Sequence, residues 1–215
     1  MSKYIVITQP NFIPWLGYFH QLINSEKFIF LDSVQFAKRE WQNRNRIIDR
    51  NGIIKFLTVP IKKCKQQTSI CDIEISDEYE IKNHIQLIRE CYKGEKKLNY
   101  KIEIIEHIFS EALNKSFRKL NLFNQLIIKA ICREAKIKLD CIGSSELEFK
   151  INYKTSTERL VELCYNEKCN KYLSSIGAKS YMENELYKFK DKNINVFWHD
   201  FFHAPYIDNK NFVPY

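Results

Sequence analysis

The fold is decided by residues 4–31, which run YIVITQPNFIPWLGYFHQLINSEKFIFL. Residues 4–8 are apolar and mostly β-branched, and this predicts a buried strand. Pro10 and Pro14 exclude a helix between them, so a rigid loop follows the strand. A helix is predicted to begin near Trp15. Its buried face is predicted to carry four apolar side chains, which are Leu16, Phe19, Leu22 and Ile23.

A second buried strand is predicted at residues 27–31, so the chain opens with strand, loop, helix and strand, a βαβ unit. Further strands are predicted at 53–60, 70–75, 171–175 and 194–198, and residues 70–75 alternate as an exposed strand does. The pattern is helical from about 79 to 140 and again over 157–168. We therefore predict a single α/β domain over residues 1–215. Its fold is expected to be a Rossmann-like, mostly parallel sheet with a helical middle segment at about 79–140.

The composition is that of a folded protein without disulfides or membrane spans. Apolar residues make up 45% of the 215 and aromatic residues 14%, which is enough to fill a sizeable core. The seven cysteines are odd in number and form no C-x-x-C pair, which argues against a disulfide framework or a cysteine zinc site. No signal peptide and no apolar run of membrane-spanning length is visible, so we expect a soluble cytoplasmic protein.

The net charge of +8 predicts an anionic partner. Nucleic acid is disfavoured, because the chain carries no recognised nucleic-acid motif and no repeated basic helix. We expect instead a basic pocket for a small anionic molecule, such as a diphosphate or a phosphopantetheine-bearing carrier. No cofactor and no metal are expected.

The first candidate segment is residues 9–20, where the first strand leads into the helix. Ligands of open α/β sheets bind at the carboxyl ends of strands, and helix N-termini offer free N–H groups to anions. Gln9 and Asn11 can each donate and accept hydrogen bonds there. Trp15 and Tyr18 are predicted to stack on a base or a sugar. The alternative is a proline-stiffened packing corner with its aromatic side chains in the core.

The second candidate segment is residues 32–46, DSVQFAKREWQNRNR. Asp32, at a strand end, can orient a hydroxyl or accept a proton. Lys38 and Arg44 can hold phosphate, Arg with two parallel hydrogen bonds. Five more residues of this segment are predicted to bind substrate, namely Gln35, Trp41, Gln42, Asn43 and Asn45. The alternative is a solvated basic loop.

The third candidate segment is the turn SSIGAKSY at residues 174–181. Ser174, Gly177 and Tyr181 are predicted to bind substrate there, because a glycine-bearing turn after a strand can contact phosphate. The spacing matches no P-loop, so an ordinary turn is the alternative.

The fourth candidate segment follows the last predicted strand. His199 and His203 are four residues apart, which on a helix is a metal-ligand spacing, but Pro205 and the preceding strand argue against a helix. We therefore expect His203 to act as a general base or to orient substrate. Tyr206 is predicted to bind substrate.

Two long motifs near the start of the chain, QPNFIPWLGYF and FLDSVQFAKREWQNRNRI, are followed by the shorter pieces LTVP, CYK, SSE, YLS and HAPY. Together they resemble the WbqC-like family of bacteria over essentially the whole chain. His20 stands where many relatives carry an acidic residue, so the resemblance assigns it no catalytic role.

The resemblance implies a role in the assembly of surface polysaccharides such as O-antigen, a lipopolysaccharide component, or capsule. The reaction it favours is transfer of an acyl group onto the amine of a nucleotide-linked amino sugar, and this acyl group could be an aminoacyl group such as glycyl. The donor would be a thioester of an acyl carrier protein or of coenzyme A. Asp32 or His203 would be the base, and Gln9, Asn11 or Asn43 would hold the oxyanion.

Two other functions stay open at the level of sequence. The start of the chain is faintly similar to HxGH nucleotidyltransferases, although Gln9 and Tyr18 stand near the expected histidine positions. Nucleotidyl or adenylyl transfer is therefore one alternative. A non-enzymatic module that binds a sugar nucleotide or a carrier protein is the other.

Overall fold

The computed structural model describes residues 4–148 and 153–202. The strands are β1 (Tyr4–Thr8), β2 (Ser25–Phe30), β3 (Arg44–Ile48), β4 (Ile54–Thr58), β5 (Cys141–Gly143), β6 (Lys171–Ser175) and β7 (Asn195–His199). The helices are α1 (Leu16–Asn24), α2 (Ile81–Cys91), α3 (Leu98–Lys115), α4 (Leu120–Glu134), α5 (Ser156–Asn166), α6 (Lys179–Met182) and α7 (Leu186–Asp191). No helix in these residues combines the length and apolar character needed to cross a bilayer.

The chain divides into two compact units. Within the described residues, the first unit contains 4–9, 16–31, 136–148 and 153–202, and the second contains 10–15 and 32–135. The prediction of one domain over residues 1–215 stays a prediction.

The first unit is built on a five-stranded parallel sheet in the order β5-β2-β1-β6-β7. The predicted βαβ start is confirmed, because β1 and β2 pair in parallel and α1 connects them. The α/β class and the mostly parallel, Rossmann-like sheet are confirmed as well. The order reverses between β1 and β6, which is the kind of switch point where open α/β sheets bind ligands.

The central strand β1 is buried on both sides of the sheet through Ile5, Val6 and Ile7, as expected for a parallel strand covered by helices. One side of the sheet carries Ile5, Ile7 and Tyr172, which share a buried cluster with Leu160 of α5 and Phe189 of α7. Burial of these side chains is the main source of stability of this unit.

Helix α1 buries a different face from the predicted one. Leu16 and Ile23 are 49% and 60% exposed, and Gly17, Tyr18 and Gln21 are buried together with Leu22. Both stripes fit the helical period, so the pattern alone could not choose between them. The observed stripe brings the Tyr18 ring to 5.5 Å from the ring of Phe28 on β2.

The second unit contains α2, α3 and α4, so the predicted helical middle segment is confirmed. Its core includes Phe12, which is fully buried and stacks on Phe123 of α4 with ring centroids 6.1 Å apart. The ring centroid of Phe109 on α3 lies 5.9 Å from that of Phe12.

Two strand predictions in the second unit need correction. Strand β4 is present, but it pairs antiparallel with β3 in a separate two-stranded sheet, and β3 was not predicted. The stretch at 70–75 is not an exposed strand: it contains a 3-10 turn at Ile70–Asp72, and Ile73 and Ile75 are buried. Its alternation arises because these isoleucines point into the core of the unit.

Candidate functional site

The carboxyl edge of the parallel sheet carries polar side chains in one row. Ser175 pairs with His199, and Thr8 pairs with Phe30. Counting from the pairing of Ile5 with Tyr172, Thr8 and Ser175 lie at the same level on neighbouring strands. Adjacent strands are about 4.8 Å apart, so the ends of β1, β6 and β7 form one short rim.

Gln9 follows β1 directly at this rim. The Tyr18 hydroxyl donates a hydrogen bond of 3.1 Å to the backbone oxygen of Gln9, which ties the start of the loop to α1. Tyr18 is only 2% exposed, so its ring packs in the core and does not offer a stacking face to solvent. Trp15 is partly buried.

The predicted turn after β6 lies at the same rim. Ser174 is buried and its hydroxyl points at the sulfur of Met182, 3.8 Å away, whereas Ser175 and Gly177 are exposed. A Cβ placed on Gly177 would meet no atom within 4 Å, and its φ is not positive. Glycine is therefore not required by the fold at this position, which leaves room for close approach of a ligand to the backbone. Tyr181 is 52% exposed.

In the second unit, residues 10–15 and residues 41–45 are linked by hydrogen bonds to backbone oxygens. Phe12 N–H donates to Trp41 O at 2.8 Å. The Asn45 side chain donates to Phe12 O at 3.0 Å and to Ile13 O. Asn124 of α4 donates from one amide nitrogen to Pro10 O at 2.8 Å and to Gln42 O at 2.7 Å.

The predicted amide cluster is thus engaged with the backbone of its own unit. Asn43 donates to Val59 O at 2.9 Å and accepts from Arg39 N–H at 3.2 Å. Gln42 and Asn43 are 5% and 3% exposed, while Gln35 is exposed and donates to Gln66 O at 2.8 Å. These contacts give the amides of Asn43 and Gln35 a structural role, and the role of the three amides in substrate binding stays a prediction.

Asp32 is the first residue of the long segment 32–135 of the second unit, and its side chain is fully buried. One carboxylate oxygen accepts hydrogen bonds from Asn121 at 2.9 Å and from Gln125 at 3.2 Å, both on α4. A buried carboxylate needs such donors to offset its loss of hydration. Asp32 therefore anchors α4, and a substrate amine would reach it only after these contacts opened.

The family of the chain follows from sequence comparison. The sequence model of the WbqC-like protein family matches residues 9–215. The chain belongs to the WbqC-like protein family. It is also 30% identical over 200 residues to the uncharacterized protein Rv1507c of Mycobacterium tuberculosis (strain ATCC 25618 / H37Rv), covering 93% of this chain and 83% of that protein. No solved structure matches it significantly. The predicted family resemblance is confirmed.

The cationic residues of this WbqC-like chain include Arg44 and Arg46, which lie on one face of the β3–β4 hairpin. The Arg44 guanidinium lies 4.0 Å from the centroid of Phe56 and donates to the Thr58 hydroxyl at 3.2 Å. Arg46 lies 5.9 Å from the ring of Trp41, which is 44% exposed. Sequence reasoning missed Phe56 and Arg46, because β3 was not predicted and its alternation was therefore not used. Lys38 is exposed.

A histidine pair was also missed. His20 Nδ1 on α1 lies 2.7 Å from His199 Nε2 at the end of β7. The two are far apart in sequence, so only the sheet order could have revealed them. His203 and Tyr206 lie outside the described residues. Within 4–148 and 153–202, no three His, Cys, Asp or Glu side chains are grouped so as to hold a metal ion.

Proposed function

We propose that this WbqC-like protein is an N-acyltransferase acting on a nucleotide-linked amino sugar in surface-polysaccharide assembly. The observation that carries the proposal is the switch point of the parallel sheet, between the ends of β1 and β6. Gln9 follows one of these strands, and the turn with Gly177 follows the other. Nucleotides bind at such crevices because backbone N–H groups and turns there can hold phosphate.

The nucleotide part of the substrate would occupy this rim. Gly177 offers an exposed backbone that a phosphate can approach closely, since no side chain stands in the way. Ser175, also exposed, can donate a hydroxyl hydrogen bond beside it. The excess of positive charge over the whole chain, +8, favours an anionic substrate.

The proposed reaction forms one C–N bond and breaks one C–S bond. The neutral amine of the sugar attacks the thioester carbonyl, and the tetrahedral intermediate expels a thiolate. The amine must first lose the proton of its ammonium form, so the site needs a base. It also needs a donor for the oxyanion, for which Gln9 is the predicted residue at this rim, because both ends of the Asn43 amide are occupied.

One experiment tests acyl transfer and identifies the donor. The protein is incubated with a nucleotide-linked amino sugar and a panel of acyl and aminoacyl thioesters of coenzyme A or of an acyl carrier protein. We expect the sugar nucleotide to gain the mass of one acyl group, glycyl being one member of the panel, with release of one free thiol. Absence of both products across the panel would refute acyl transfer.

Nucleotidyl transfer is the second candidate, and the same switch point favours it. The turn after β6 could hold the outer phosphates of a nucleoside triphosphate. In this case Mg-ATP or Mg-CTP would be consumed with release of diphosphate and without any thiol. Tight binding of the sugar nucleotide without either product would instead indicate a binding module.

A further inference from the structure

The exposed imidazole of His20 and the buried imidazole of His199 form a pair that none of the site predictions includes. His199 is 8% exposed and His20 is exposed. Their nitrogens Nδ1 and Nε2 are 2.7 Å apart, which is a short hydrogen-bond distance. Phe201 lies against both rings: it stacks on His199 with an interplanar angle of 8°, and its centroid is 5.2 Å from that of His20.

Only one proton fits between the two nitrogens. A state with both rings protonated would place two N–H groups against each other, so the pair takes up a second positive charge only with difficulty. Burial, together with the charge of His20, lowers the pKa of His199, and Asp200 acts in the opposite direction. A lowered pKa favours the neutral form of His199, whose Nε2 can then accept a hydrogen bond from His20.

One tautomer leaves the outer nitrogen of His20 as a base. If His20 Nδ1–H donates to His199 Nε2, the lone pair of His20 Nε2 is available to a ligand. The Asn24 amide nitrogen lies 3.5 Å from both ring nitrogens of His20, and its clear hydrogen bond is the one that it donates at 2.7 Å to the His20 backbone oxygen. When Nε2 accepts a proton, the resulting imidazolium shares its Nδ1–H with neutral His199.

The pair also lies at the proposed site. His199 pairs with Ser175, the residue that opens the turn of Gly177, so it lies in the same row of the sheet. A sugar nucleotide whose phosphates contact this turn would have its sugar within reach of neighbouring strand ends, since strands are about 4.8 Å apart.

We propose that His20 is the general base of the acyl transfer and that His199 is the residue that positions it and shares its charge. This inference rests on the proposed function. The first proton leaves the sugar ammonium for His20 Nε2 and is released to water. The neutral amine then attacks the thioester carbonyl, and the proton that the attacking nitrogen loses passes to His20 Nε2 and from there to the departing thiolate. The ammonium and the thioester thus give the amide, a thiol and one proton released to water.

The test compares His20→Gln and His199→Gln with His107→Gln, a control at an exposed position of α3. Glutamine keeps hydrogen-bonding capacity but cannot take up the proton. We expect His20→Gln to lower kcat by about 10²–10⁴-fold with little change in KM. His107→Gln should leave both constants within about threefold. A kcat of His20→Gln close to that of the control would overturn the catalytic role.

NMR titration of the imidazole nitrogens tests the pair without any turnover. Burial and the neighbouring imidazole hold the pKa of His199 below its ordinary value, and we expect this pKa to rise once His20 is replaced by glutamine. An unchanged pKa of His199 would overturn the pair itself. Failure of wild-type transfer although the pKa of His199 rises in His20→Gln would instead refute the proposed function, and the role of His20 as its base with it. Because His20 is exposed, its replacement should not impair folding, which circular dichroism checks.

Discussion

Replacing Asn124 by alanine is expected to destabilise the second unit strongly. The side chain is fully buried, and its amide nitrogen donates to Pro10 O at 2.8 Å and to Gln42 O at 2.7 Å. The alanine variant leaves two buried carbonyl groups without this donor. Each loss of this kind costs about 1–3 kcal/mol. We therefore expect the free energy of unfolding to fall by about 2–4 kcal/mol, allowing for partial relaxation.

The measurement is denaturant unfolding followed by tryptophan fluorescence in a Trp198→Phe background. The emission then comes from Trp15 and Trp41, which both belong to the second unit. Gln35→Ala is the matched control, since its amide also donates to a backbone oxygen, at 2.8 Å, but at an exposed site. The control should cost at most about 0.5 kcal/mol. Equal losses for the two variants would refute the argument that Asn124 holds the two segments together.

Three further outcomes are expected. Gly177→Ala should leave the melting temperature unchanged, because the added Cβ meets open space, but should weaken sugar-nucleotide binding at least about tenfold by blocking phosphate approach; calorimetric titration showing an unchanged Kd would contradict this. Burial lowers the pKa of His84 below its ordinary 6.5, so its neutral form stabilises the fold above that pH, and stability should fall as pH drops from about 6.5 towards the lowered pKa. The difference in unfolding free energy between pH 7 and pH 5 should therefore shrink in His84→Gln. Thr155→Ala removes a capping box with Glu158 and should cost about 1 kcal/mol in chemical denaturation, whereas Thr155→Ser should cost little.

The parallel sheet was predictable because its strands are short apolar runs with clear ends. Residues 4–8, 171–175 and 194–198 each coincide with a strand to within a residue. Strand β3 was not predictable in the same way. Its residues Arg44–Ile48 are only partly buried, and their polar side chains are also typical of a loop. Pairing with β4 decides their structure, and pairing is a tertiary interaction.

The first two candidate segments could be recognised from the sequence, but the partners of their polar side chains could not. Residues 10–15 and 41–45 do meet, but mainly through backbone oxygens that accept from Asn45 and Asn124. A sequence shows that an amide can donate, not whether its partner is a ligand or a carbonyl group. Asp32 has the same ambiguity, since a carboxylate at a strand end can serve catalysis or anchor a helix.

The order of the sheet constrains synthesis on the ribosome. β2 and β5 are neighbours, yet all described residues of the second unit except 10–15 lie between them in sequence. The central strand β1 gains its second neighbour only when residues 171–175 emerge, a few seconds after residue 135 at about 5–20 residues per second. During this interval the nascent chain exposes an unpaired, strongly apolar strand edge. Slow codons or a premature stop within 136–170 would prolong that exposure and favour aggregation or capture by chaperones.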